Sequence, residues 1–244
     1  MALIISNAYL SQSQMTDNAQ YIADYLINKG WTRNAIAGIL GNMQRESTLN
    51  PGLWESLIYG NMSGGYGLVQ WTPATGYTSW ADARGYPWGN NYGNTTAYFN
   101  GQLECILWEV ANNQQWIATS SFNFSFSAFT KSVESPEYLA EAFMRNYERP
   151  GVLALEERSQ NARYWFENLT YGSSTVIKNA VEWAVAIAND NSHGYSQDNR
   201  WGPDYDCSSL LISAWQQAGV PVKDKGASYT GNMYDAFIAC GFQD

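Results

Sequence analysis

Charge is scarce in this chain. Of its 244 residues only 14% are Asp, Glu, Lys or Arg, against about a quarter in an ordinary soluble protein. The 13 cations face 22 acids, giving a net charge of −9 with no basic block. Nucleic acid is therefore not an expected partner, because a polyanion binder needs clustered cations to neutralise phosphates. Histidine occurs once, as His193. No His, Cys and Asp group has metal-ligand spacing, so no metal and no cofactor is expected. Three cysteines, Cys105, Cys207 and Cys240, are too few and too odd in number for a disulfide framework. They point to folding in a reducing compartment. No run approaches the ~18 apolar residues of a membrane span. The opening segment has an apolar run too short for a secretory signal and lacks a basic flank. If the protein works outside the cell that makes it, something else carries it there.

The chain is rich instead in uncharged polarity and aromatic rings. Phe, Trp and Tyr reach 15%, with 11 Trp and 17 Tyr. Such rings either pack a core or stack on the apolar faces of sugars in a cleft. The segment Tyr171-Gly172-Ser173-Ser174-Thr175 reads as a flexible boundary between two domains, 1–171 and 172–244. The first is mostly helical. Thr16 is placed to cap a helix carrying Ile22, Tyr25 and Leu26 that Gly30 stops, and Thr32 to cap the next. That second stripe is Ile36, Ile39, Leu40 and Met43, the spacing of one helical face. The glycine-rich run from Ser63 to Trp71 reads as a tight turn or small β-hairpin. Leu103, Ile106, Leu107 and Val110 mark a further helix, with Cys105 buried between them. Ser135-Pro136-Glu137 is a strong helix start. In the second domain one helix passes through Ile177, Val181, Ala184 and Ala188. Asp206 caps another bearing Leu210, Leu211, Ala214 and Trp215, and Thr230 a last one through Met233, Phe237 and Ile238.

Glu46 is the most informative residue. It lies seven positions after Ile39 and three after Met43, on the apolar face of the last helical turn. A carboxyl there faces a cleft, where desolvation raises its pKa and suits it to act as a general acid. Otherwise it frays into water, or pairs with Arg45 or another base. The neighbouring motifs bear on that choice. Glu46-Ser47-Thr48-Leu49-Asn50-Pro51, then Gly65-Tyr66-Gly67-Leu68-Val69-Gln70-Trp71-Thr72-Pro73, resemble the signatures of the lytic transglycosylase and goose-type lysozyme superfamily. With Gly38 to Gln44, Trp108-Glu109-Val110 and Tyr147-Glu148-Arg149-Pro150, the resemblance is to the lysozyme domain of phage tail-knob and tail-tip peptidoglycan hydrolases. It runs through residues 5–170.

The resemblance implies a mainly α (α+β), lysozyme-like fold with a small β-hairpin beside the cleft. It implies cleavage of the β-1,4 bond between N-acetylmuramic acid and N-acetylglucosamine, by a virion protein of the phage tail tip. Such a protein is made in the host cytoplasm, acts on bacterial peptidoglycan and is held by other tail proteins. Glu46 matches the catalytic acid, Gln70 the cleft glutamine and Tyr147 the cleft tyrosine. Strand alternation puts Tyr66, Leu68 and Gln70 on one hairpin face, within reach of substrate. It sends Trp71 to the other, where it packs or stacks on sugar. A second carboxylate is missing from the pattern, Glu55 being the only other acid between Glu46 and Gln70. Hydrolysis, 1,6-anhydro product formation by a lytic transglycosylase, and a non-catalytic wall-binding tail module all stay open.

Cys207 sits in Asp206-Cys207-Ser208-Ser209-Leu210, at a helix N-terminus where the dipole lowers a thiol's pKa. With Trp201-Gly202-Pro203 the segment resembles cysteine amidases and endopeptidases of the NlpC/P60 type. Those use a histidine after the cysteine helix, and none follows here. His193 lies 14 residues upstream and serves only if its loop folds back over the helix start. Residues 172–244 are therefore expected to be a partial, inactive NlpC/P60-like domain, a fragment rather than a degenerate copy.

Overall fold

The most buried helix of the molecule carries two glycines that an isolated helix would not choose. The computed structural model describes residues 3–89, 95–170 and 174–242. The chain divides into two compact units, Met1–Tyr171 and Gly172–Asp244; residues 171–173 of the boundary segment lie outside the described residues. The first unit contains α1 (Gln12–Asn28), α2 (Arg33–Ser47), α3 (Thr75–Asp82), α4 (Thr95–Ala111), α5 (Phe126–Lys131), α6 (Pro136–Phe143) and α7 (Leu155–Asn168). A π-helical turn, Met144–Glu148, continues α6. The second holds α8 (Ser174–Asn189), α9 (Cys207–Gln217) and α10 (Met233–Ala239). The fold is mainly helical, and no helix among the described residues is long and apolar enough to cross a membrane.

Helix α2 is the centre of the first unit. Thr32 caps it, its Oγ1 accepting from Ala35 N–H at 3.2 Å. Every residue from Ala35 to Met43 is buried. Helical glycine costs up to about 1 kcal/mol relative to alanine, yet here it permits close approach. A Cβ on Gly38 would meet the α6 backbone at Leu139 and Ala140, 3.0 Å away. One on Gly41 would lie 2.5 Å from the Arg158 carbonyl oxygen of α7. Asn42, beside Gly41, donates to Gly38 O at 2.9 Å and Ala140 O at 3.0 Å. Helices α6 and α7 thus pack backbone-close on α2.

The glycine-rich run forms no strand, only the single bridges Trp54 to Tyr66 and Tyr66 to Trp71. Gly67 (φ 80°) and Gln70 (φ 49°) adopt left-handed backbone, which breaks the alternation expected of a hairpin. Buried Gln102 of α4 pins this turn, accepting from Leu68 N–H and donating to Pro51 O, both at 2.7 Å. Ser47 of α2 donates to Leu68 O at 3.0 Å. Gly67 is required twice over, because a Cβ there would also fall 2.5 Å from Gln102 Oε1.

Two caps differ from expectation. Helix α1 starts after Ser11, whose N–H donates to Gln14 Oε1 at 2.9 Å, so Thr16 lies inside it, donating to Gln12 O. Helix α10 starts after Asn232 rather than Thr230, because the Asn232 side chain fixes the preceding loop through Ser228 and Tyr229 N–H. The second unit has a small core of Ile212, Val222, Ala227 and Ala236. The α8 stripe forms but is open to solvent, with Val181 56% exposed.

Gly41→Ala should destabilise the first unit by about 1–2 kcal/mol, overpacking outweighing the gain in helix propensity. Gly151→Ala, with nothing near its Cβ, should stay within about 0.5 kcal/mol of wild type. Denaturant midpoints of the two variants check this.

Candidate active site

A cleft of about 820 Å³ opens in the first unit where the end of α2, the Gly65–Pro73 turn, the end of α4 and the Tyr147–Gly151 segment meet. Four carboxyl side chains line it: Glu46, Glu55, Glu109 and Glu148. Each has a different environment.

Glu46 stands at the last turn of α2 with its side chain 19% exposed. Its partner is Arg158 of α7, whose Nη2 donates to Oε1 at 2.5 Å. Arg45 pairs instead with Glu157 at 3.0 Å. Arg158 is buried, and its Nη1 and Nε donate to Asn42 Oδ1 and Leu153 O, each at 2.9 Å. The burial expected of Glu46 is therefore answered by a cation rather than left as bare desolvation.

Glu109, on α4, is held through both oxygens. Trp71 Nε1 donates to Oε1 at 3.0 Å and Tyr147 OH to Oε2 at 2.5 Å. Burial pushes its pKa up, against these two hydrogen bonds. Tyr147 is itself buried and stacked on Phe143, ring centroids 4.6 Å apart. Its hydroxyl is raised well above the usual range, by burial first and by Glu109 second. Glu55 is the exposed acid; its Oε2 accepts from Gly65 N–H at 2.9 Å.

Glu148 is unlike the others. The residue is only half-buried, yet its Oε1 is sealed from solvent and has no hydrogen-bond partner among the described residues. An unpartnered buried carboxylate is costly. Burial pushes this carboxyl well above the usual range; the negative charge of Glu46 adds to the shift and Arg158 opposes it. These surroundings favour its protonated form.

Gln70 lines the cleft, with its amide donating to Leu53 O at 3.1 Å and Gly67 O at 3.0 Å. Tyr66 does not join it. Its ring is fully buried, lies 4.4 Å from Trp54 between centroids, and its hydroxyl accepts from Gly89 N–H at 3.1 Å. The expected substrate-facing role of Tyr66 is corrected to packing, because the turn's left-handed residues rotate Tyr66 and Gln70 apart. Trp71 is nearly buried at 8% exposure, stacks on Tyr77 at 4.9 Å, and reaches the cleft wall through Glu109.

Sequence reasoning misses the roles of Glu109, Glu148 and Arg158. The two acids sit inside motifs that stand out for their aromatic neighbours, Trp108 and Tyr147. Arg158 carries no local signal: only the close approach at Gly41 brings it to Glu46.

Residues 17–169 match the phage tail lysozyme family. The chain belongs to that family. Morphogenesis protein 1 of Bacillus phage B103 is 52% identical over 172 residues, which cover 70% of this chain and 44% of that protein. The chain thus spans less than half the length of this curated relative. All four cleft acids and Arg158 fall within the family match.

Cys207 lies outside the match. It is exposed at the first position of α9, where Asp206 caps the helix by accepting from Ser209 N–H at 2.7 Å. The upstream loop does fold back: His193 and Cys207 line one cavity of about 360 Å³. His193 Nδ1 is 2.5 Å from Pro203 O, its Nε2 3.7 Å from Asp190, and Tyr205 N–H donates to Gly194 O at 3.0 Å. Sequence separation conceals this juxtaposition, because a parallel bridge between Tyr195 and Tyr205 closes the intervening loop.

Glu148 also sets a pH dependence of stability. Its folded pKa is raised, so its contribution is fully present below the ordinary carboxyl value of about 4.5 and is lost as pH rises through the folded value. Glu148→Gln should remove that loss. Unfolding free energies from pH 4 to 8 should show the variant gaining on wild type as pH rises, and parallel curves would refute the assignment.

Proposed function

We propose that the first unit is a muramidase. It hydrolyses the β-1,4 bond between N-acetylmuramic acid and N-acetylglucosamine in peptidoglycan, and a phage tail carries it to open the host wall locally during infection. The observation that carries this reading is the phage tail lysozyme match over residues 17–169, with Glu46 in a cleft lined by three further acids. Glu46 is the general acid. Its Oε1 accepts from Arg158, which leaves Oε2 as the atom that delivers a proton to the glycosidic oxygen as the bond breaks.

Water attacks the anomeric carbon. Glu109 is a poor base for it, since both oxygens already accept internal hydrogen bonds. Glu55 suits that role better: it is exposed on the cleft rim, and the Gly65 N–H occupies only Oε2. Gln70, and Tyr147 through Glu109, fix the wall that receives the sugar. Trp71, tied to Glu109, supports the same wall.

Glu46→Gln keeps an acceptor for Arg158 but removes its counter-charge, so the variant should stay folded at reduced stability and lose glycan cleavage by about 10²–10⁴-fold. Mass spectrometry of digested cell walls should find reducing N-acetylmuramic acid ends. 1,6-Anhydro ends would reassign the unit as a lytic transglycosylase. No glycan fragment from the wild-type chain would leave it a wall-binding module. Cys207→Ala, in the other unit, should leave glycan release unchanged. A fall in that release would show that the second unit takes part in the reaction.

A further inference from the structure

Beside the cleft, a second groove of about 370 Å³ is lined by Trp80, Arg84, Tyr86, Glu104, Leu107, Trp108 and Ala111. Trp108 also lines the catalytic cleft, so the two cavities share this residue. Arg84 is exposed, yet its guanidinium is held in place. Its Cζ lies 4.5 Å from the Trp80 ring centroid and 4.9 Å from that of Trp108. Tyr86 stacks on Trp80 at 5.6 Å with ring planes 6° apart, which stiffens the platform. Five other cations of the first unit pair with acids, as Lys29–Glu104, Arg45–Glu157, Arg145–Glu141, Arg158–Glu46 and Arg163–Glu137, while Arg33, Lys131 and Arg149 donate to neutral oxygens of the protein. Arg84 has no carboxylate partner among the described residues; its one hydrogen bond there is a long 3.4 Å contact to Trp80 O. The groove's own acid, Glu104, is already engaged by Lys29 and Tyr25.

A guanidinium resting against two adjacent, tilted aromatic rings is restrained in position and has less rotamer freedom left to lose. Such a group is preorganised for a carboxylate, which it binds through two parallel hydrogen bonds. In a protein of net charge −9, a cation without a carboxylate partner in a groove that shares Trp108 with the acid-lined cleft is placed to meet an anionic part of the substrate. Peptidoglycan has such a part, because each muramic acid bears a short peptide with carboxylate groups.

We propose that the Trp80–Arg84–Trp108 groove is a subsite for the acidic stem peptide, with Arg84 binding its carboxylate while the glycan lies in the cleft. The inference rests on the muramidase reading. It makes the enzyme a reader of peptide substitution as well as of the sugar backbone, acting on binding rather than on bond breaking.

The test uses the full chain on two substrates freed of wall phosphate polymers: intact peptidoglycan, and glycan strands stripped of stem peptides by an amidase. Wild type should show a KM about tenfold lower on the peptide-bearing strands, the size of one lost charge-assisted contact. Arg84→Gln should raise that KM to the stripped-strand value, leave kcat alone and leave the stripped substrate unaffected. Arg84→Lys should recover part of the difference. Equal effects on both substrates, or none on either, would overturn the subsite, as would an effect seen only when phosphate polymers are left on the wall. Titration with N-acetylmuramyl-L-alanyl-D-isoglutamine, followed by tryptophan fluorescence, reads the same site without turnover. Binding that Arg84→Gln weakens supports it, and equal binding by both proteins refutes it. If the wild-type chain cuts neither substrate, the muramidase reading fails, and this titration still decides the subsite.

Discussion

The first unit is organised around one buried cation. A guanidinium removed from water needs an opposing charge and acceptors for its donors, or its desolvation goes uncompensated. Arg158 has them: the Glu46 carboxylate, the Asn42 amide oxygen and the Leu153 carbonyl. These come from the end of α2, the middle of α2 and the segment entering α7. Losing one partner of such a pair typically costs about 3–5 kcal/mol. The requirement reaches back into the sequence. Gly41 is bare so that the α7 backbone can approach within reach, and Asn42 beside it both ties down α6 and receives Arg158. One helical stretch therefore serves packing and electrostatics together.

The same cation sorts the acids around the cleft. Four carboxyls share a small volume with one buried guanidinium, so they cannot all behave alike. Glu46 has the ion pair. Glu109 is kept by an indole and a phenol, neutral donors that fix its orientation without neutralising it. Glu55 remains with solvent. Glu148, with Oε1 sealed and unpartnered among the described residues, is pushed toward its protonated form. Identical side chains thus meet different surroundings within one cleft, the kind of arrangement by which carboxyls divide acid and base roles.

Much of this is legible in the sequence, and the limits have physical causes. The capped α2 with its apolar stripe, the buried Cys105, the Ser135-Pro136 start and the Asp206 cap are local features, and the chain realises them locally. The position of Glu46 beyond the α2 stripe is local too. Arg158 reaching Glu46 is not: the two are 112 residues apart, and no periodicity encodes the pair. Alternation misplaces Tyr66 because it holds only for extended backbone, and Gln70 at φ 49° ends it. Chain order hides the Cys207 cavity, because a closed loop, not sequence position, sets the distance between the cysteine and the histidine.

The aromatic surplus divides between core and surface platform along a continuous path. Trp54, Tyr66, Tyr77 and Trp71 stack in sequence behind the glycine-rich turn. Tyr77 then leads to Trp80, and Trp80 to Tyr86 and Trp108 at the surface groove. The buried end does the work that strands would do elsewhere. Backbone bonds such as Tyr66 N–H to Trp71 O and Gly67 N–H to Leu53 O tie the turn, and the packed rings and the Gln102 amide confine it further. The path carries that rigidity outward in two directions, to Glu109 through the Trp71 indole and to Arg84 through Trp80. A cleft wall built from glycines can be stiff for this reason: the glycines supply the shape, and the rings behind them remove the freedom.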